Sequence, residues 1–295
     1  MFSVTGKGKQ AEMTVPSTTE RQRTECGVCW RRCRIPEGGL GFCRARTARG
    51  GVVTAENYGK LTSLALDPIE KKPLSHFHPG SMILSAGSYG CNMACPFCQN
   101  HEIAQDADAG RHTVFVSPVE LVEKAHSLRR RGNIGIAFTY NEPLVGYEYV
   151  RDTAALARLE GLETVAVTNG QIEEEPLEEL LPLITAWNID LKSFHEDTYK
   201  KLGGRLDVAR RTIQRAAAVS HVEVTTLVVP GLSDGEEEMR REAAFLASVD
   251  REIVLHLSRY FPRWRCKEPA TPRQTLCRLR DIAREYLQTV LLGNI

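Results

Sequence analysis

The sequence predicts an α/β protein, a complete or partial (β/α) barrel preceded by a small Cys-rich N-terminal domain. Two observations carry that prediction. From about residue 81, short apolar runs alternate with longer amphipathic stretches, the pattern of successive βαβ units around a parallel sheet. Ahead of them, residues 25–57 are rich in Cys, Gly and Arg with little periodicity, as expected of a segment shaped by ligands rather than by a core. Six or seven βαβ units fit a barrel with its chemistry at the C-terminal strand ends; an open doubly wound sheet fits the same pattern.

The candidate strands are Met82–Ala86, Ile134–Phe138, Thr164–Val167, Trp187–Leu191, Val222–Val229, Ile253–Leu257 and Thr289–Leu292. Helical patterns fill the gaps. Ser117-Pro-Val-Glu120 reads as an N-cap with Pro first and Glu third, opening a helix that runs to Gly132. Ser233-Asp-Gly-Glu-Glu-Glu238 opens another, its acids placed at the positive end of the dipole. Between the Cys-rich segment and the first strand, Asp67–Pro73 and Ser75–Gly80 are too punctuated by Pro for a long helix or a central strand. The expected organisation is a flexible tail over 1–24, a Cys-rich metal-binding segment and linker over 25–75, and the barrel over 76–295.

Composition excludes several function classes. With 42% apolar and 25% charged residues, the 295-residue chain is globular, and 38 Lys+Arg against 37 Asp+Glu lack the balance of a dedicated nucleic-acid binder. Apolar runs such as Thr226–Val229 fall far short of the roughly 20 residues of a membrane span. Residues 1–24 are polar and lack the apolar core, about 7–15 residues long, of a secretion signal, so a cytoplasmic protein is expected. No Ser/His/Asp grouping, phosphate-binding Gly loop or His-Glu-x-x-His pattern supports a hydrolase.

Seven of the nine cysteines fall in two clusters, and in a chain without an export signal clustered thiols read as metal ligands rather than disulfides. Cys26, Cys29, Cys33 and Cys43 supply four thiols, enough to close a tetrahedral site with no open position. Zinc is favoured there, because it folds loop-rich segments that lack a core; an auxiliary iron–sulfur cluster is the rival. Cys91, Cys95 and Cys98 supply three, in C-x3-C-x2-C spacing just after the first candidate strand. Three thiolates can hold one face of a cubane iron–sulfur cluster and leave its fourth iron open to an outside molecule. A structural zinc there would need a fourth ligand, for which His101 is the candidate. Cys266 and Cys277 are unclustered and expected to be buried free thiols.

Cys91, Cys95, Phe97 and Cys98 resemble the signature of the radical S-adenosylmethionine superfamily. The resemblance implies a [4Fe-4S] cluster whose open iron is chelated by S-adenosylmethionine. Electron transfer then cleaves the sulfonium to methionine and a 5'-deoxyadenosyl radical. It also implies a cofactor site at the strand ends. Glu142, in Thr139-Tyr-Asn-Glu-Pro143, stands where the superfamily holds the methionine amine, with Asn141 beside it; its other reading is a helix N-terminal acid. Thr168-Asn169-Gly170 and Asp190-Leu-Lys192 resemble pocket motifs of glycyl-radical activating enzymes, and Asp190 and Lys192 share one face of a strand by period two. Val167 stands where those enzymes tend to have Asp, which puts a cation site there in doubt. Asp67–Leu74, His76-Phe77, Gly90-Cys-Asn92, Tyr140–Pro143 and Arg259–Arg263 together look like AmmeMemoRadiSam-system radical enzymes, relatives of pyruvate formate-lyase activating enzyme. Such relatives commonly continue past Gly293-Asn294 into a tail with a further Cys pair, whereas this sequence stops at Ile295, so an incomplete lid is expected.

The function expected is hydrogen abstraction from a small molecule or a protein, including a glycyl residue of a partner enzyme, with a flavodoxin- or ferredoxin-type reductant. A non-catalytic zinc scaffold or interaction protein is the alternative. His76 and His78 are expected to be loop histidines, and His256 a strand histidine that could reach the barrel interior near substrate.

Overall fold

The computed structural model describes residues 23–106 and 108–295. Most of the expected tail lies outside them; its last two residues, Arg23 and Thr24, are already strand. The first strand, β1 (Arg23–Glu25), pairs antiparallel with β2 (Arg34–Pro36), and β3 (Arg46–Arg49) with β4 (Val52–Ala55). These two short hairpins make up the Cys-rich segment. A two-residue strand, β5 (Lys60–Leu61), is followed by β6 (Ser63–Pro68), which runs antiparallel against β7 (Met82–Gly87) and places Leu66 opposite Leu84. The Pro-punctuated linker thus contributes an edge strand, a position that tolerates Pro68 because its far side needs no donor.

After β7 come α1 (His101–Ala104), β8 (Val114–Phe115), which pairs with β5, α2 (Pro118–Ser127), β9 (Asn133–Phe138), α3 (Tyr147–Leu159) and β10 (Glu163–Thr168). Then follow α4 (Glu174–Leu180), β11 (Ala186–Asp190), α5 (Glu196–Lys201), α6 (Leu206–Ala217), β12 (His221–Val228), α7 (Glu236–Val249), β13 (Val254–Arg259), α8 (Arg273–Ala283) and β14 (Val290–Gly293). All seven strands expected from the sequence are present with ends shifted by two residues at most. Ser117 caps α2 in a reciprocal box with Glu120, but the α-helix stops at Ser127 and a 3-10 turn, Arg129–Arg131, leads to left-handed Gly132. The other expected cap is corrected: α7 starts at Glu236, and the Ser233 hydroxyl instead binds the Val229 N–H and the Leu227 carbonyl.

The eight strands are ordered β14-β13-β12-β11-β10-β9-β7-β6, parallel from β7 to β14. The order never reverses, which excludes the doubly wound alternative. Because β6 and β14 do not pair with each other, the barrel is partial. Its ends are nevertheless brought together at the C-terminal rim, where the N–H groups of Arg265 and Cys266, after β13, both donate to the Pro96 carbonyl, after β7, at 3.0 and 3.1 Å.

The N-terminal mouth is filled by residues 69–77. Ile69 and Leu74, fully buried, pack on Ile83, Ala137, Val165 and Ala186 from four adjacent strands. Burial of each such side chain stabilises by about 1.5–3 kcal/mol. Polar ties fix the same segment: the Pro73 carbonyl accepts from Asn188 Nδ2 at 2.9 Å, and Glu223, wholly buried in β12, accepts from the N–H groups of Ser75 (2.9 Å) and His76 (2.8 Å). Closing one end of the barrel leaves the chemistry to the other.

Candidate active site

The loop after β7 carries the three-thiol set. Gly90 opens it with φ near +90°, and a Cβ there would lie 2.4 Å from the Cys43 carbonyl oxygen, so only glycine allows the approach. Cys95 is buried, and Cys91 and Cys98 are partly so. The Cys91 sulfur receives the Met93 N–H at 3.4 Å and Asn169 Nδ2 at 3.7 Å. Burial pushes all three thiols up, Cys95 to about 11, while Lys192 opposes the shift at Cys95 and Cys98. Buried thiols that cannot ionise alone, with donors already aimed at a sulfur and a cation beside them, are chemically suited to a [4Fe-4S] cluster, whose irons supply the positive charge that replaces the protons. Among the described residues, no three His, Cys, Asp or Glu donor groups are already converged on one point.

Glu142 sits beside this loop at the end of β9, almost fully buried. Its carboxyl accepts from Thr168 Oγ1 (2.7 Å), the Asn169 N–H (2.7 Å) and the Leu144 N–H (3.1 Å). The last bond caps a 3-10 turn, Pro143–Gly146, so the residue is a helix N-terminal acid as well as a site carboxyl. Burial pushes it up to about 7 against those three donors. A carboxylate offers about four acceptor sites, so one remains for an ammonium or amine.

Asp190 and Lys192 do share one face: they pair at 2.8 Å, and the Lys192 N–H donates to the Tyr199 hydroxyl. Lys192 is held well above the ordinary lysine value because its pairing with Asp190 outweighs its burial. Thr168 and Asn169 are joined to this group through Glu142. Asn141 and Phe97, the other expected site residues, lie against and on the three-thiol loop. Asn141 shapes the loop, accepting from the Ser88 N–H and donating to the carbonyls of Tyr89, Gly90 and Glu142, and Phe97 is buried in the main core.

The histidines separate clearly. His78 contacts Glu163, the first residue of β10, at 3.6 Å, and His76 binds Glu223 through its backbone, so both lie at the closed mouth. His256 does point inward, but its Nε2 is bound to Glu223 at 2.5 Å, at that same end. The ring of His101 stacks on Trp264 at 5.2 Å. Cys266 is buried and Cys277 only half so.

Cys26, Cys29, Cys33 and Cys43 line one cavity with Arg31, Arg46 and Asn92. Burial pushes Cys29 up to about 12 and Cys43 to about 11, and a metal cation bound there would take the place of their protons. Three groups escaped sequence reasoning. Arg31 and Asn92 bridge the two thiol sets. Tyr140, at φ 74°, donates its hydroxyl to Asp67 at 2.5 Å, and Asp67 also binds buried Lys72 at 2.9 Å. The Lys-Lys-Pro text was visible, but not that its second lysine would be the buried one. Glu223 had a signal, a lone carboxylate inside the apolar run Val222–Val229.

Three thiols thus stand on one loop at the C-terminal rim of a partial parallel barrel. The Radical SAM superfamily model matches residues 86–243, more than half of the sequence, and the chain belongs to that superfamily. It is 40% identical over 278 residues to uncharacterized protein MJ0808 of Methanocaldococcus jannaschii, covering 92% of this chain and 82% of that one. It is 28% identical over 178 residues to the pyruvate formate-lyase 1-activating enzyme of Escherichia coli (strain K12), covering 58% of this chain and 71% of the relative. The crystal structure of Streptococcus suis SuiB bound to precursor peptide SuiA is similar in fold, with a TM-score of 0.56 over 70% of this chain and 47% of that one at 14% identity. Membership implies a [4Fe-4S] cluster and S-adenosylmethionine. Among the described residues, no helix is long and apolar enough to cross a membrane.

Proposed function

We propose that the chain is a radical enzyme in which Cys91, Cys95 and Cys98 hold the [4Fe-4S] cluster and Glu142, Thr168, Asn169, Asp190 and Lys192 form the S-adenosylmethionine site. The observation that carries this reading is Asn169, whose side chain reaches the Cys91 sulfur while its backbone N–H holds Glu142, so that one residue joins a cluster ligand to the amine acceptor. When bound, the pair of cofactors supplies reductive sulfonium cleavage and a hydrogen-abstracting adenosyl radical. The protein's own part is to bind and orient. Glu142 offers its remaining acceptor site to the methionine ammonium, and the Asp190–Lys192 pair presents both charges to a zwitterion. Asn169 and Met93 direct donors at Cys91.

Similarity to a pyruvate formate-lyase activating enzyme supports a glycyl residue of a partner enzyme as hydrogen donor; a small molecule is the competing substrate class. In this reading residues 25–75 form the metal-binding segment and linker, 76–295 the catalytic barrel. Cys26, Cys29, Cys33 and Cys43 hold zinc, the electron comes from a flavodoxin- or ferredoxin-type reductant, and the setting is cytoplasmic. The test is anaerobic turnover with labelled S-adenosylmethionine and dithionite. Reconstituted protein should release 5'-deoxyadenosine and Cys95→Ala should not; equal product from both would remove the ligand assignment.

A further inference from the structure

The two thiol sets are joined through a short relay of buried and partly buried groups. Asn92 follows the first cluster cysteine directly, is 1% exposed, and forms part of the wall of the four-thiol cavity. Its side chain spends both ends on the cofactor side: Oδ1 accepts from Asn169 Nδ2 at 2.9 Å, and Nδ2 donates to the Gln171 carbonyl at 2.8 Å. Asn169 in turn reaches the Cys91 sulfur and Glu142. From the other side, Arg31 lies between Cys29 and Cys33 in sequence. Its Nε donates to the Asn92 carbonyl at 2.7 Å and its NH2 to the Gly203 carbonyl at 2.8 Å, while Phe42 stacks 3.6 Å from the guanidinium. A third tie is steric: the Cys43 carbonyl and Ala45 lie so close to Gly90, immediately before Cys91, that a side chain there would clash with both.

We propose that the four-thiol site is a metal-dependent brace for the cluster loop, with Asn92 and Arg31 as positioning residues that transmit its geometry to Cys91 and Asn169. The physical reason is that the segment 26–43 has little core of its own, so a bound metal sets where Arg31 and the Cys43 carbonyl stand. Those two groups fix the backbone on either side of Cys91. Groups that orient metal ligands from behind commonly change metal affinity or activity 10- to 100-fold when removed. The inference rests on the radical-enzyme reading of the three-thiol loop and adds a structural dependence that this reading does not require.

The experiment compares wild type, Cys26→Ser and Asn92→Ala, each full length, anaerobically reconstituted with iron, sulfide and zinc. Metal content, S-adenosylmethionine affinity by equilibrium dialysis and the electron paramagnetic resonance of the reduced cluster are read for each. Cys26→Ser should lose the four-thiol metal and keep its cluster iron, with affinity weakened about tenfold and an altered resonance. Asn92→Ala should retain both metals and show the same two changes, and wild type reconstituted with iron and sulfide but without zinc should match Cys26→Ser, which decides the metal dependence should that variant fail to fold. Wild-type affinity and resonance in Asn92→Ala, or in a Cys26→Ser chain lacking its four-thiol metal, overturn the brace alone. A wild-type chain that takes up no cluster iron overturns the radical reading and the brace with it.

Discussion

The closed mouth of the barrel depends on one carboxylate, and Glu223→Gln tests that dependence. Glu223 is wholly buried and accepts four hydrogen bonds, from His256, His221 and the N–H groups of Ser75 and His76. Burial alone would raise its carboxyl, but the two histidines and the two backbone donors together hold it at about 2 against an ordinary 4.5. That displacement corresponds to about 3 kcal/mol in favour of the carboxylate. Glutamine keeps one acceptor oxygen and turns the other into a donor, leaving a buried N–H unpaired, a loss of about 1–3 kcal/mol, with more added by the lost charge. The two routes agree on about 3 kcal/mol. The sign follows from linkage: a depressed carboxyl stabilises above its unfolded value and loses that contribution as pH falls through its folded one. The wild-type advantage should therefore be full at pH 7, shrink from pH 4.5 toward 2, and fall below half by about pH 3. In urea, with both chains stripped of metal, the variant's midpoint should drop by about 1 M at pH 7. A midpoint within 0.2 M of wild type, or a gap that stays constant down to pH 3, would refute the reasoning.

Two further perturbations probe the site itself. Gly90→Ala must displace the Cys43 carbonyl, so it should destabilise by about 2–3 kcal/mol, whereas Gly231→Ala, also at positive φ but with open space around it, should lose only about 1 kcal/mol; equal losses in urea would remove the steric argument. Glu142→Gln should weaken S-adenosylmethionine binding about tenfold at pH 8. Because burial places the Glu142 carboxyl near 7, its ionised form grows as pH rises, and wild-type affinity should improve by up to about tenfold between pH 6 and 8 while the variant's stays flat. Parallel pH profiles of the two proteins, measured by equilibrium dialysis, would show that Glu142 is not the acceptor.

What the sequence made legible follows from which forces act locally. The seven parallel strands are apolar runs flanked by helix signals, and two-faced burial writes itself into such runs. The cysteine spacings announced metal chemistry because ligands close in sequence need no fold to be recognised. The N-terminal hairpins were not visible, since strands of three or four residues carry no period and their shape belongs to the thiols. The fate of His76, His78 and His256 was hidden for another reason. Glu223 lies 147 residues from His76 and 33 from His256, and only the barrel brings them to one end. Asn92 and Asn169, 77 residues apart, meet in the same way. Charge alone did not distinguish Lys72 from Lys71, although one is buried against Asp67 and Tyr140 and the other exposed.

The central claim is that Cys91, Cys95 and Cys98 leave one iron open to S-adenosylmethionine. Electron paramagnetic resonance of the reduced, reconstituted wild-type chain, recorded with and without that molecule, addresses it directly. The g-values of the reduced-cluster signal should move on addition of S-adenosylmethionine and stay unchanged with adenosine, which lacks the methionine amine and carboxylate. A cluster signal that is identical in both samples would contradict it.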